Sequence, residues 1–122
     1  MAHEPLVLAG QTSLVQLGAL AERCVLALGT DSGPLHLAAA LGTPTVRLYG
    51  PTDPALFGPW GKPTDHVVLT SQLPCRPCGN LVAPPCGARC TPPCLTRIAT
   101  GSVVEAALRA YQDDTSLHAH RR

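Results

Sequence analysis

Gly29-Thr30-Asp31-Ser32-Gly33-Pro34-Leu35-His36-Leu37-Ala38-Ala39-Ala40-Leu41-Gly42-Thr43-Pro44 is the stretch that decides the fold of this chain. Immediately before it, Cys24-Val25-Leu26-Ala27-Leu28 is an apolar run of strand length. Gly29 and Gly33 free the backbone to turn sharply. Pro34 fits the first helical position, where a missing N–H leaves no carbonyl unserved. Leu35, Leu37, Ala38 and Leu41 give the helix a buried side, Gly42 suits the left-handed position past its end, and Pro44 blocks continuation. The stretch therefore reads as strand end, tight turn, short helix and stop. A helix N-terminus that follows a strand carboxyl end presents unpaired N–H groups and a partial positive charge. Such a place is an anion site, most often for phosphate. Asp31 and His36 flank it as a hydroxyl acceptor and a donor. The same punctuation also serves purely structural turns, so on spacing alone both readings stand.

Outward from this block, Leu6-Val7-Leu8-Ala9 is a short strand-like run ending at Gly10. Ser13 and Gln16 have the spacing of a capping box, opening a helix with Leu14, Leu17, Leu20 and Ala21 on one face and its end near Arg23. Residues 24–28 form the next expected strand, Pro34 to Leu41 the next helix, Thr45 to Tyr49 a third strand and His66 to Leu69 a fourth. A last helix is expected from Val103 to Gln112, with Ser102 as its N-cap and Glu105 as the capping-box partner. This alternation predicts an α/β fold with a mainly parallel sheet. Residues 1–72 form its βαβαβ portion, 73–100 a Cys/Pro-rich loop, 101–114 the final helix and 115–122 a disordered tail. Turns at Gly10–Ser13, Gly29–Gly33 and Gly50–Asp53 all follow strand carboxyl ends, where open α/β sheets bind ligands. Asp53 itself reads as a turn former.

The chain has 122 residues, room for one domain. Apolar residues make up 45% and aromatics 3%, so the core has to be built from Leu, Val and Ala. The formal net charge is +1 and the basic residues are scattered, which argues against nucleic acid and anionic membrane surfaces as partners. The thirteen prolines concentrate between residues 44 and 93 and mark that half as rich in loops. No apolar run reaches the ~20 residues that a bilayer needs, and Met1-Ala2-His3-Glu4-Pro5 lacks the basic start of a signal peptide. A cytoplasmic protein is expected.

Five of the six cysteines, Cys75, Cys78, Cys86, Cys90 and Cys94, fall within 20 residues; Cys24 stands apart and is expected to be buried. A C-x2-C pair followed by further cysteines at short spacing suggests a structural zinc site before an iron–sulfur cluster, and leaves two disulfides with a spare thiol, or free thiols, as open readings. Nothing in the spacing requires these thiols to carry out chemistry.

Gly10-Gln11-Thr12-Ser13-Leu14, the block Thr30 to Val46, and Tyr49-Gly50-Pro51-Thr52-Asp53-Pro54 together resemble glycosyltransferase family nine, the ADP-heptose:lipopolysaccharide heptosyltransferases and their relatives. The likeness covers roughly residues 6 to 112, and the order Asp-Ser-Gly-Pro-Leu-His followed by Gly-Pro-Thr-Asp-Pro makes it specific. It implies a GT-B architecture of two Rossmann-like domains with the active site between them. This chain corresponds to the later part of the carboxyl-terminal, donor-binding domain, an incomplete Rossmann-like sheet with flanking helices. By the same resemblance Asp31, Ser32, Gly33, Pro34, Leu35 and His36 would contact the diphosphate and sugar of the donor. Thr12 and Ser13 would lie on the neighbouring turn, and no catalytic residue falls in this fragment.

The implied function is to hold a nucleotide-sugar donor, of ADP-sugar type, for transfer to a cell-envelope or lipopolysaccharide acceptor in the cytoplasm or at the inner membrane face. No cofactor is required where dipoles and basic side chains supply the charge for the departing phosphate. The family's acceptor domain has no counterpart in these residues. The fragment is therefore expected to be inactive alone and to need that domain or a partner chain. An open sheet edge would also favour self-association. The alternative readings are a stand-alone nucleotide-sugar or phosphate-binding module without catalysis, and a truncated remnant.

Overall fold

The structure, a computed structural model, describes residues 3–88 and 91–119. Its elements in order are α1 (Leu14–Arg23), β1 (Ala27–Thr30), α2 (Gly33–Ala40), β2 (Thr45–Tyr49), α3 (Pro54–Phe57), a 3-10 turn (Pro63–Asp65), β3 (His66–Thr70), α4 (Pro93–Thr96) and α5 (Thr100–Ala119). The strands form one parallel sheet of three in the order β1-β2-β3. Ala27 lies opposite Thr45, and Thr45 opposite His66. The α/β class and the parallel sheet are as expected, with three strands where four were expected.

The missing strand is 6–9. A strand persists only when a neighbour takes up its backbone groups, and Leu6 to Ala9 pair with none of the described strands. The Leu8 carbonyl instead accepts from the N–H of Gln11 in a turn, and Leu6 and Val7 are exposed. The second expected strand is displaced from 24–28 to Ala27–Thr30. Cys24 is drawn into ending α1, its N–H donating to the carbonyls of Leu20 and Ala21, and it is exposed rather than buried. The last helix begins at Thr100, because the Ala99 carbonyl accepts from the N–H of Val103. Ser102 is thus inside the first turn rather than its cap. The same helix runs through Ala119, taking in the first part of the segment expected as a disordered tail.

The local signals around α1 and α2 act as written in the chain. Ser13 Oγ accepts from the N–H of Gln16, whose side chain accepts in turn from the N–H of Ser13, a complete capping box. Gly42 takes φ +86° just beyond α2. Gly29 and Gly33, in contrast, keep ordinary φ values. Gly29 matters through space instead: a Cβ there would stand 3.3 Å from Leu35 Cδ2. The first residue of α2 is Gly33, capped by Ser32 backbone geometry, so Pro34 is its second.

β2 is the centre of the molecule. Thr45, Val46, Arg47 and Tyr49 are fully buried, as befits a middle strand of a parallel sheet. Leu35, Ala38 and Ala39 of α2 and Cys94 of α4 complete the core. Small side chains let α2 lie close to the sheet, and α1 is tied beside α2 by the Thr43 hydroxyl, which donates to the Ala21 carbonyl at 2.7 Å. β1 is an edge strand, and Leu28 on it remains 51% exposed. Among the described residues no helix is long and apolar enough to cross a membrane.

Candidate functional site

β1 and β2 both end at the same edge of the sheet, and what they carry there meets around Asp31. Asp31 leaves β1 with its N–H donating to the Leu48 carbonyl at 3.2 Å, which holds it in line with β2. Its carboxylate is then gripped from two sides. Oδ1 lies 2.9 Å from His36 Nε2, and Oδ2 accepts from the Thr52 hydroxyl at 2.9 Å. Thr52 belongs to the turn after β2, so the carboxylate bridges the first turn of α2 to the second strand's exit.

Behind His36 stands Arg47. Its Nη1 lies 3.2 Å from His36 Nδ1, Nη2 donates to the Leu35 carbonyl, and Nε donates to Thr45 Oγ1 at 3.3 Å. A guanidinium has donors only, so His36 Nδ1 is the acceptor and the ring proton sits on Nε2, pointing at Asp31. The imidazole is therefore held as a neutral donor toward the carboxylate. The series continues inward: Thr45 Oγ1 lies 3.0 Å from His66 Nδ1. Burial pushes the pKa of His66 down, Arg47 adds to this, and Asp65 and the backbone of Trp60 oppose it. On the same strand, burial pushes the Tyr49 hydroxyl up, and the hydroxyl donates to the Phe57 carbonyl at 2.8 Å.

On the other side of Asp31 opens a cavity of about 320 Å³. Thr30, Asp31, Gly50 and Thr52 form its sheet side, and the Cys/Pro-rich loop closes over it. Arg76 lines this cavity, with its guanidinium fixed by the Gly50 carbonyl at 2.7 Å and the Thr52 carbonyl at 3.4 Å. One cation and one carboxylate thus face a common space beside the N-terminus of α2.

Of the residues expected to bind a ligand, Asp31 lines the cavity and His36 touches Asp31. Ser32, Gly33 and Pro34 form the opening of α2 beside it, with Gly33 and Pro34 exposed. Leu35 is turned into the core, where its carbonyl serves Arg47. Thr12 and Ser13 open α1, where the Ser13 hydroxyl is engaged in the cap; neither residue lines the cavity. Asp53 caps α3, accepting from the N–H of Ala55. Among the five clustered cysteines, Cys75, Cys78, Cys86 and Cys94 line the cavity as free thiols, and Cys90 lies outside the described residues. No three metal-binding side chains among the described residues stand close enough to share an ion.

Sequence reading missed Arg47, Thr52 and Arg76. The signal for Arg47 was present: a lone charge in the middle of Thr45-Val46-Arg47-Leu48-Tyr49, a strand whose neighbours predict burial on both faces. Arg76 was hidden inside the cysteine pattern.

The chain matches the profile of glycosyltransferase family 9 (heptosyltransferase) over residues 1–83. It is 49% identical over 61 residues to lipopolysaccharide heptosyltransferase 3 of Escherichia coli K12, a match covering 50% of this chain and 17% of that protein. Lipopolysaccharide heptosyltransferase 1 of Pseudomonas aeruginosa is 47% identical over 58 residues, 48% of this chain and 15% of its own length. The lipopolysaccharide core heptosyltransferase OpsX of Haemophilus influenzae is 42% identical over 64 residues, 52% of this chain and 18% of its own. The matched region thus spans about a sixth of the length of these relatives. No solved structure matches the chain. With its family profile matched across residues 1–83, the chain belongs to glycosyltransferase family 9.

Proposed function

We propose that this chain is the nucleotide-sugar-binding part of a heptosyltransferase-like enzyme of GT-B architecture. In this reading it holds an ADP-sugar donor whose sugar passes to a lipopolysaccharide or other cell-envelope acceptor, in the cytoplasm or at the inner membrane face. The observation that carries the reading is the position of Asp31. It lies at the carboxyl end of β1, with the N-terminus of α2 on one side and the cavity holding Arg76 on the other.

Sugar transfer from a nucleoside diphosphate builds negative charge on the departing phosphate. The partial positive charge at the start of α2, where the Gly33 N–H is the one first-turn donor not engaged by the Ser32 carbonyl, and the guanidinium of Arg76 stand at the right edge of the sheet to offset it. Arg76 is oriented by two backbone carbonyls, those of Gly50 and Thr52. Asp31, with its oxygens already occupied on one side each, accepts sugar hydroxyls through its remaining lone pairs. His36 keeps that carboxylate oriented. These groups carry the charge in this reading without a cofactor.

Calorimetric titration with ADP and with an ADP-sugar tests the assignment. Binding is expected for the unaltered chain and at least about tenfold weaker, 1.4 kcal/mol, for Asp31→Ala, His36→Ala and Arg76→Ala. No heat of binding, or equal affinity in all variants, overturns the assignment.

A further inference from the structure

A second space opens where β3 ends and α5 begins, with a volume of about 430 Å³. Ser71, the first residue past β3, lines it and is only 8% exposed. The Ser71 hydroxyl is the one buried side-chain polar atom among the described residues that has no hydrogen-bond partner. Buried polar groups are almost always paired, because an unpaired one gives up its hydrogen bonds to water and gains none in return. A serine hydroxyl donates as well as accepts, and its hydrogen rotates to suit. A guest rich in acceptor oxygens in this space would satisfy it.

Ala99 and Ser102, at the start of α5, line the same space. Ala99 occupies the N-cap of this helix of 20 residues, and alanine has no side-chain acceptor to offer there. Among the described residues, the N–H groups of Thr100, Gly101 and Ser102 meet no acceptor; the first one engaged is that of Val103, on the Ala99 carbonyl. No acidic side chain stands in the first turn, so the positive end of the helix dipole is left uncompensated. Arg97 also lines the space, and its guanidinium has no partner among the described residues. No carboxylate is among the lining side chains.

We propose that this space binds a phosphoryl group, held by Arg97, by the free N–H groups at the start of α5, and by the hydroxyls of Ser102 and Ser71. One cation, several neutral donors and no competing carboxylate make the donor set that a doubly charged, oxygen-rich anion requires. Leu69, Leu73 and Ile98 make the rest of the lining largely apolar. The space has the size of a small-molecule site, so it admits the organic part of a phosphomonoester as well as free phosphate. Leu73 lines both this space and the cavity beside Asp31, which makes the two sites neighbours. Each has its own cation, Arg97 here and Arg76 there. The proposal adds to the donor reading and does not rest on it.

The test is a titration of the isotope-labelled full chain, followed by amide NMR, with inorganic phosphate in one arm and glycerol 3-phosphate in the other. The amide signals of Gly101 and Ser102 are expected to shift and saturate. Tighter binding of the ester assigns the site to a phosphomonoester, and binding of phosphate at least as tight assigns it to the free anion; either supports the site. Arg97→Gln and Ser71→Ala should each weaken the binding read at these amides by at least about tenfold, as expected for loss of a hydrogen bond to a charged group. Asp31→Ala, in the neighbouring cavity, should leave it unchanged. Ser71→Ala also controls for folding. It deletes an unpaired hydroxyl, so it should melt no lower than the parent in phosphate-free buffer and should gain less from added phosphate. Amide signals that do not move in either arm overturn the proposal, as does binding undiminished in Arg97→Gln and Ser71→Ala. A Ser71→Ala variant that melts below the parent without phosphate also overturns it, because the hydroxyl would then have its partner within the fold.

Discussion

Arg47 and Asp31 are joined through a single imidazole. His36 accepts from the buried guanidinium at Nδ1 and donates to the carboxylate from Nε2, over 3.2 and 2.9 Å. The fully buried cation of β2 and the carboxylate at the end of β1 thus share one neutral bridge, and the charge at the core of the sheet fixes the orientation of the group at its edge. A buried arginine without a carboxylate in direct contact depends on every hydrogen bond it makes.

Replacing Arg47 with methionine removes that cation while keeping much of its volume. The Leu35 carbonyl, in a buried residue, and His36 Nδ1, in a half-exposed one, lose their donor. The expected loss is about 3 kcal/mol of unfolding free energy, read by urea denaturation. A variant as stable as the parent would show that the network does not support the fold.

The Thr52–Asp31 hydrogen bond is a charge-assisted link between two turns that are 21 residues apart. Thr52→Val and Asp31→Asn, measured singly and together, form a double-mutant cycle. A coupling of about 1 kcal/mol is expected, and additive effects would mean that the two turns are held independently.

Two glycines at the same sheet edge should behave oppositely. A Cβ on Gly50 would stand 2.9 Å from Leu95 Cγ and 3.4 Å from Cys94 Sγ, so Gly50→Ala is expected to cost about 1–3 kcal/mol through overpacking. Gly33 has open space around its Cβ direction and no left-handed φ. Gly33→Ala is expected to leave stability unchanged or raise it by about 0.5 kcal/mol, by narrowing the unfolded ensemble. Thermal melts of both variants distinguish these outcomes.

Acid should destabilise the fold through His66. Burial holds its folded pKa below the ordinary value of 6.5, so the unfolded chain binds the proton more readily. The stability contributed by neutral His66 is therefore present above pH 6.5 and is lost as the pH falls below 6.5 through the folded pKa. Melting temperature should drop between pH 7.5 and 5.5, and His66→Gln should flatten part of that slope, since glutamine can still meet the Thr45 hydroxyl and does not titrate. An unchanged slope in the variant would exclude His66 as the source.

The elements legible in the chain were those whose signals are local. The capping box at Ser13 and Gln16, the left-handed stop at Gly42 and the apolar run of β2 each act within a few residues, and each stands where the pattern put it. Asp31 and His36 were legible as a pair flanking a turn for the same reason. The strand at 6–9 failed because strand formation is a property of two segments, and Leu6 to Ala9 carry no information about whether an edge is available. The shift of β1 to Ala27–Thr30 has a related cause, the claim of α1 on Cys24 as its cap.

The α/β class, the family and the turn at the end of β1 are legible in the chain, because they are written in residue order and short-range conformational preference. Which groups meet at that turn depends on the folded arrangement. Arg47, His36 and Asp31 come from β2, α2 and the end of β1, and Thr52 and Arg76 arrive from two further loops. Hydrogen bonds across 11 to 26 residues of chain assemble the site. Such contacts depend on strand register and helix packing, which no local pattern specifies.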